Sequence, residues 1–259
     1  MWLHVPNFPA NTKGNFDTAV CCKVKIKQLP NCLMAETKIK KESSGILRKY
    51  LFSVMVALLI IFTGTSTLQA KDILMSFQQL QSRYNENIDF CIGSINRDSS
   101  TLVMAIHGGS IEIGTSQIAR SVAEILQCDL YLFEGIRDCN NNILHITSTN
   151  FNEPKAQKLV EKSNLTLSIH GCRGSNEVTY IGGLDSKTGN KIVRHLKAAG
   201  FKVEDAPARL GGKQIDNICN QNSINKGVQL ELTYAMRKTL LNETKSFEKY
   251  TEALAAAME

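Results

Sequence analysis

The sequence of 259 residues lacks several features that would assign its chemistry at once. Although it has eight cysteines, no two of them form a Cys-x-x-Cys pair, which argues against a structural zinc knuckle. It has neither a Gly-x-Gly-x-x-Gly run nor a glycine-rich loop ending in Gly-Lys-Ser/Thr, so we expect no phosphate-cradling loop. It also lacks internal repeats and low-complexity tracts, and its apolar fraction of 43% is sufficient for a buried core. These features indicate one large domain, or one domain with a leader.

Most of the chain has no excess of positive over negative residues. Of the 30 Lys/Arg and 24 Asp/Glu, nine and three lie in residues 1–70, which leaves 21 of each sign for residues 71–259. The net charge of +6 therefore belongs to the leader. Because the body is formally neutral and has no basic patch interleaved with aromatic residues, nucleic acid is not expected as a partner.

Composition divides the chain into three parts. Residues 1–46 have little periodicity, with scattered proline, asparagine and lysine, and are predicted to be a poorly structured leader. Residues 47–70 contain basic residues, then an apolar run, then small polar residues, which is the order of a signal peptide. Residues 71–259 are predicted to form the functional domain.

The apolar run at residues 51–62 is short for a membrane span, which needs roughly 20 residues. Ala70 suits a signal cleavage site, so we expect a secreted protein or one of the periplasm or cell envelope. An uncleaved membrane anchor at residues 51–62 is the alternative. Since a signal rarely starts so far from the N-terminus, Met34 is predicted to be the true start.

The body is predicted to have an α/β fold with a mixed central sheet flanked by helices, because strand-like and helix-like segments alternate along it. The predicted strands are 89–95, 101–106, 129–133, 165–169, 177–181, 201–204 and 227–232. The predicted helices are 73–84, 116–126, 154–162, 187–199 and 244–258. Thr115 is the expected N-cap of the second helix.

Two of the predicted strands end in His-Gly, and a glutamate follows the first of them closely. The carboxyl ends of strands in α/β sheets form ligand sites, so His107 and His170 are expected to meet at one edge. Glu112 lies on the glycine-rich turn just after His107. Two histidines and one glutamate leave the fourth zinc position open for water, as in catalytic sites. The alternative is that both histidines are hydrogen-bonded strand ends without a metal.

Hydrolysis with a zinc-bound water needs a base, and Glu231 is the candidate. It points away from the apolar residues of the alternating strand 227–232. A carboxylate near the metal takes the proton from water and passes it to the leaving nitrogen. The alternative is a surface carboxylate on a half-exposed strand. Arg173 and Arg137, which follow neighbouring strands, are predicted to stabilise negative charge on substrate or intermediate, or else to be solvated loop residues.

Three further polar residues are predicted to contact substrate. His145 is one, with the alternative that it competes for the metal. Asn217 and Asn220 are the others, with the alternative that they cap a turn.

Taken together, several motifs resemble one known family. They are His107-Gly108-Gly109, Glu112, Gly114-Thr115, Phe133-Glu134-Gly135, Leu144-His145-Ile146-Thr147-Ser148, Ile169-His170-Gly171-Cys172-Arg173-Gly174, Gly182-Gly183-Leu184-Asp185, Asn217-Ile218-Cys219-Asn220 and Gly227-Val228-Gln229-Leu230-Glu231-Leu232. In this order, over about residues 84–240, the chain resembles the phage-type poly-gamma-glutamate hydrolases, which are zinc peptidases with a carboxypeptidase-like fold.

The resemblance implies zinc on His107, Glu112 and His170, and, by analogy with carboxypeptidases, Glu231 as the base. Ile113 is a departure, because many relatives have proline after the zinc-binding glutamate, and it predicts a less rigid loop.

These observations lead us to expect a zinc-dependent hydrolase of amide bonds, with γ-glutamyl linkages of an anionic polymer or peptide as its substrate. One alternative is a zinc amidase or deacylase that acts on cell-wall peptides or N-acyl amino acids. The other is a non-catalytic binding module of the envelope.

Overall fold

The computed structural model describes residues 74–259. The predicted leader, the predicted signal or anchor and the predicted start at Met34 lie outside the described residues. The strands are β1 (Phe90–Ile95), β2 (Thr101–Gly109), β3 (Asp129–Gly135), β4 (Leu165–Cys172), β5 (Thr179–Gly183), β6 (Val203–Asp205) and β7 (Val228–Thr233). The helices are α1 (Phe77–Gln81), α2 (Thr115–Ile125), α3 (Pro154–Lys162), α4 (Ser186–Ala198), α5 (Tyr234–Asn242) and α6 (Thr244–Met258).

The seven strands form one sheet in the order β1-β3-β2-β4-β7-β5-β6. The four central strands, β3, β2, β4 and β7, run parallel, whereas β1 is antiparallel to β3 and β5 is antiparallel to β7. The predicted mixed α/β sheet is therefore confirmed. Because the central strands run parallel, their carboxyl ends meet at one edge of the sheet.

Both faces of the sheet are covered by apolar layers. Along β2, Val103 and Ala105 face a core that includes α2, α4, α5 and α6, while Met104 and Ile106 face a core that includes α1 and α3. This alternation follows from the two-residue period of a strand. Strand β7 is buried along its whole length, so the predicted alternative of a half-exposed strand at Glu231 is wrong.

Two differences from the predicted elements affect the site. Strands β2, β3 and β4 extend beyond their predicted ends, so the histidines lie within strands. Helix α5 was not predicted, because Thr233 both ends β7 and caps α5 through Met236 N at 3.2 Å, with no turn between them.

The N-cap prediction for α2 is wrong. Gly114, with φ of 103°, occupies the position before the helix, where a left-handed backbone favours glycine. Thr115 is the first helical residue, and its hydroxyl donates to the backbone carbonyl of Glu112 at 2.9 Å. Among the helices of residues 74–259, none is long and apolar enough to cross a membrane.

Candidate metal centre

His107 lies at an irregularity in β2. Between Ala105 and Gly108, three residue steps in β2 match two in β3, which is a β-bulge. The imidazole is 2% exposed, and its Nε2 lies 2.8 Å from the carbonyl of Ile146. Because a carbonyl only accepts hydrogen bonds, Nε2 carries a proton, and Nδ1 of the neutral ring keeps a lone pair.

His170 reaches the same point from the neighbouring strand β4. Its Nδ1 lies 3.1 Å from Nδ1 of His107, and its Nε2 lies 2.8 Å from the hydroxyl of Ser168. The ring is also 2% exposed. The structure therefore brings the two histidines together as expected, with each Nε2 held by a neighbour and the two Nδ1 atoms facing each other.

Glu112 closes the cluster from the turn after β2. Its backbone N–H donates to the carbonyl of His107 at 2.9 Å, so the turn is tight. Its Oε1 lies 3.3 Å from Nδ1 of His107, and its Oε2 lies 3.9 Å from Nδ1 of His170. The backbone N–H of Gly171 donates to Oε2 at 2.7 Å and orients the carboxylate.

The donor set of the two histidines and Glu112 suits a zinc ion. Zinc bonds to nitrogen and oxygen of about 2.0–2.2 Å in a tetrahedron place neighbouring donors roughly 3.3–3.6 Å apart. Nδ1 of His107 lies near this distance from both partners, at 3.1 Å from Nδ1 of His170 and 3.3 Å from Oε1 of Glu112, and Nδ1 of His170 lies 3.9 Å from the other carboxylate oxygen, Oε2. Metal-binding histidines usually form a hydrogen bond through the ring nitrogen that does not bind the metal, as both Nε2 atoms do here.

His145 joins this cluster, although it was predicted to contact substrate. Its Nε2 lies 3.9 Å from Oε1 of Glu112, and its ring centroid lies 3.8 Å from that of His107. His107, Glu112 and His145 together could also hold a metal, with one donor atom from each within 4.8 Å of the others. The side chain of His145 is 31% exposed, against 2% for His170. It therefore occupies the accessible side of the cluster, where a substrate or a labile ligand would bind.

Glu112 and His170 have the charges that a cation requires, whereas burial of His107 is outweighed by the charge and hydrogen bond of Glu112, which raise the pKa of His107, so a metal bound there would displace a proton. Burial opposes the charge of Glu112, but attraction to His107 and a hydrogen bond with it prevail, aided by His170 and His145, and lower the pKa of Glu112 to about 2. Burial and the neighbouring His107 lower the pKa of His170 to about 3. At neutral pH, Glu112 is ionised and His170 is neutral, and these are the forms that bind metal.

Glu231 lies beside this cluster on β7. It is the register partner of His170 across the parallel β4–β7 pair and is 7% exposed. Burial, and next the negative charge of Glu112, raise the pKa of Glu231 to about 8. The amide of Gln229 donates to its Oε1 at 3.2 Å. A buried carboxyl with a raised pKa beside a candidate metal site has the properties of a proton acceptor.

The two predicted asparagines lie in the structure that supports Glu231. Asn217 donates to Oε1 of Gln229 at 2.8 Å and accepts from Cys219 N, so it acts on Glu231 through Gln229. Asn220 is fully buried, and its amide bonds backbone groups of four neighbouring residues. The prediction of direct substrate contact by Asn220 is wrong, because these backbone bonds occupy its polar atoms.

The two predicted arginines have different surroundings. Arg173 is exposed and lines a cavity of about 450 Å³ beside Glu112. In the described part of the chain, no carboxylate pairs with Arg173. Arg137 instead forms an ion pair with Asp89, and its guanidinium lies 5.5 Å from the centroid of the Tyr84 ring. These contacts hold the guanidinium against the protein, so Arg137 is not the solvated loop residue of the alternative, and its action on substrate or intermediate stays a prediction.

Sequence reasoning missed two residues that line the same cavity, Tyr234 and Arg237. Both belong to α5, which was not predicted because no turn residue separates it from β7. It also missed Gln229, for which a signal existed, because a strand places Gln229 and Glu231 on the same face.

Comparison with known proteins places this arrangement in a family. A family model described as poly-gamma-glutamate hydrolase matches residues 74–258. The chain belongs to the poly-gamma-glutamate hydrolase family. It is 37% identical over 208 residues to the SPbeta prophage-derived protein YoqZ of Bacillus subtilis (strain 168), covering 79% of this chain and 74% of that protein. It is 30% identical to YndL of the same organism, covering 77% of this chain and 83% of YndL.

Two solved structures are similar in fold. A bacteriophage poly-gamma-glutamate hydrolase superposes with a TM-score of 0.71 at 32% identity, covering 73% of this chain and 97% of that one. Zinc-free YndL superposes with a TM-score of 0.68 at 29% identity, covering 73% and 98%. The family and the α/β fold expected from the sequence motifs are thereby confirmed, as is the assignment to the hydrolases.

Proposed function

We propose that this protein is a zinc-dependent hydrolase of the γ-glutamyl amide bonds of poly-γ-glutamate. The observation that carries the proposal is the convergence of His107, Glu112 and His170, with donor atoms 3.1–3.9 Å apart, beside the buried Glu231. A zinc ion bound there would polarise the scissile carbonyl and lower the pKa of a water molecule to about 7. The description of a YndL structure as zinc-free supports zinc as the metal.

Glu231 is assigned the role of general base and then general acid. Its raised pKa of about 8 makes it a better proton acceptor than an ordinary carboxylate. The amide of Gln229 holds one oxygen of Glu231, and Asn217 in turn holds Gln229. The carboxylate is therefore fixed in orientation while it moves a proton from water to the leaving nitrogen.

Arg173 is assigned to the substrate. Every residue of a γ-linked glutamate chain carries a free α-carboxylate, so the polymer presents closely spaced negative charges. Arg173 lines the open cavity next to Glu112, and no ion pair within the described residues engages it. A guanidinium in that position suits bidentate recognition of a carboxylate. His145, on the accessible side of the cluster, is assigned a second contact with the substrate or metal.

The signal layout at residues 47–70 supports a further proposal, that the protein acts outside the cell or in the cell envelope. N-terminal sequencing of the exported protein tests this proposal and the start at Met34 together. An uncleaved N-terminus retained with the membrane fraction would favour the anchor alternative.

The first experiment measures metal content and hydrolysis on the same preparation. Elemental analysis of the purified protein is expected to give one zinc per chain, and release of primary amines from poly-γ-glutamate should stop on chelation and return with zinc. A panel of γ-linked and α-linked glutamyl peptides, muramyl peptides and N-acyl amino acids identifies the substrate class. Cleavage of muramyl peptides or N-acyl amino acids alone would favour an amidase or deacylase, and bound zinc without turnover would favour a binding module.

A matched pair of variants ties the result to the site. H107A should lose zinc and turnover together, because it removes a ligand. H195A changes a histidine of α4, outside the cluster, and should keep both. Equal behaviour of the two variants would contradict the assignment of the site.

A further inference from the structure

Arg237 is a buried cation whose hydrogen bonds all end on backbone carbonyls within two residues of Glu112, His170 and Glu231. It lies on α5 and is 8% exposed. Its Nη1 donates to the carbonyl of Ile113 at 2.6 Å, its Nη2 to that of Cys172 at 3.3 Å, and its Nε to that of Leu232 at 3.2 Å. Burying a charged group is costly unless it is hydrogen-bonded, so this arrangement needs a reason beyond filling space.

The three carbonyls belong to the three segments that carry the chemistry. Ile113 directly follows Glu112, Leu232 directly follows Glu231, and Cys172 lies two residues after His170. One planar guanidinium therefore joins the turn after β2 to the ends of β4 and β7. The turn at Ile113, which the sequence predicted to be less rigid, is tied to the sheet at this point.

Gly171 contacts both the guanidinium of Arg237 and the carboxylate of Glu112. A Cβ on Gly171 would lie 2.6 Å from Cζ and Nε of Arg237, so only glycine allows the guanidinium to pack there. The backbone N–H of this same Gly171 donates to Oε2 of Glu112 at 2.7 Å. The guanidinium thus packs against the residue whose backbone N–H orients the metal-binding carboxylate.

We propose that Arg237 is a positioning residue that sets the geometry of the Glu112 carboxylate toward the metal. It does so by fixing the turn at Ile113 and by packing against Gly171. The proposal rests on the proposed metal role of His107, Glu112 and His170, and it adds a residue that none of the sequence motifs contains. A purely structural role would affect stability alone, whereas a positioning role changes the metal site at equal stability.

The test compares R237M and R237K with L240A in the full-length protein. R237M keeps an apolar stem without donors, and R237K keeps the charge without the planar fork. Leu240 is buried on the same helix and packs in the apolar core, so L240A loosens α5 without removing a contact to the site. Zinc affinity is measured by competition with a chromogenic chelator, and thermal unfolding is followed on the same samples.

R237M is expected to weaken zinc binding by about 10- to 100-fold, the usual effect of removing a group that supports a metal ligand. R237K should fall between R237M and the wild type. L240A should lower the unfolding temperature and leave zinc affinity within about twofold. The visible spectrum of the cobalt-substituted protein, which reports ligand geometry, should change in R237M and R237K and not in L240A.

A double-mutant cycle with G171A provides a test that keeps the guanidinium in the protein. G171A should push the guanidinium from its place and weaken zinc binding on its own. R237A ends at Cβ and removes the obstacle, so adding G171A to R237A should have little further effect. Additive effects of the two substitutions would overturn the contact on which the proposal depends.

The outcomes separate this proposal from the proposed function. If the wild type binds zinc and R237M and R237K bind it equally well with an unchanged cobalt spectrum, Arg237 is structural and the positioning role is refuted. If R237M fails to fold, R237K and G171A give the same comparison. If the wild type itself binds no zinc, the proposed function fails and takes this inference with it.

Discussion

The turn that carries Glu112 and the strand that carries Glu231 place two carboxylates at one edge of the sheet in opposite environments, Glu112 partly buried and Glu231 buried. Burial disfavours charge on both. At Glu112, the two histidines His107 and His170 outweigh burial and bring its pKa to about 2. At Glu231, burial dominates, the charge of Glu112 adds to it, and the pKa is about 8. Two carboxyls whose pKa values are pushed apart take different chemical roles.

The two pKa values suit Glu112 to the role of metal ligand and Glu231 to the role of proton acceptor and donor. An ionised carboxylate flanked by two imidazoles is a ligand, whereas a carboxylate whose pKa lies near neutrality can accept a proton in one step and return it in the next. The backbone reinforces the division. Glu112 accepts a backbone N–H from Gly171, while Glu231 accepts a side-chain amide N–H from Gln229.

The largest expected effect is that of E112Q. Glutamine keeps the shape of the side chain but removes the charge that attracts a cation, so zinc content should fall below half an equivalent and turnover should become undetectable. Elemental analysis after gel filtration and amine release from poly-γ-glutamate give the two readings. E204Q, a change at an exposed position of β6, is the control. Full zinc content in E112Q would remove Glu112 from the ligand set.

E231Q should separate turnover from metal binding. General acid–base catalysis contributes about 10²- to 10⁴-fold, so kcat should drop by that factor while zinc remains at one equivalent. Steady-state kinetics with metal analysis of the same sample checks both. Retained turnover, or loss of zinc equal to that in E112Q, would contradict the division of roles.

The same substitution should stabilise the metal-free protein at alkaline pH. The folded-state pKa of Glu231 is raised above its ordinary 4.5, so its contribution to stability is complete below pH 4.5 and is lost as pH rises to about 8. Glutamine does not ionise, so E231Q does not lose this stability. Its free energy of unfolding at pH 8 should exceed that of the wild type by roughly 2–4 kcal/mol. Denaturant unfolding in chelator at pH 5 and pH 8 measures the difference, which should shrink at pH 5. An equal gain at both values would assign the effect to packing.

The smallest expected effect concerns the support of Glu231. Q229M removes the donor to Glu231 and leaves a side chain of similar length in a buried position. A single hydrogen bond contributes about 0.5–1.5 kcal/mol, so kcat should fall by about 2- to 10-fold with zinc affinity unchanged. Kinetics and chelator competition on the same preparation test this. A change in zinc affinity without a change in kcat would indicate that Gln229 supports the metal ligands and not Glu231.

Much of the fold was predictable because its signals are local. Helix α3 begins at a proline, and α6 has a clear apolar face, so the predicted bounds of 154–162 and 244–258 match the structure. Helix α5 escaped prediction because it follows β7 without an intervening breaker. The predicted β2 ended too early because the real strand continues through the bulge at His107, past the point where the apolar run stops.

The site was predictable where strand ends determine it, and less so where loops do. His107 and His170 come together because two adjacent parallel strands end at the same level of the sheet. The approach of His145 to Glu112 depends on the path of the loop after β3. The pairing of Arg137 with Asp89 and the reach of Arg237 across three segments are tertiary contacts between distant parts of the chain, which no spacing in the sequence encodes.

Zinc-edge anomalous diffraction from crystals of the zinc-loaded protein tests the central claim most directly. The account predicts one strong peak within about 2.0–2.2 Å of Nδ1 of His107, Nδ1 of His170 and a carboxylate oxygen of Glu112, with Glu231 close by and not bound. A peak ligated by His145 in place of His170, a peak bound by Glu231, or no peak at this edge of the sheet would contradict it.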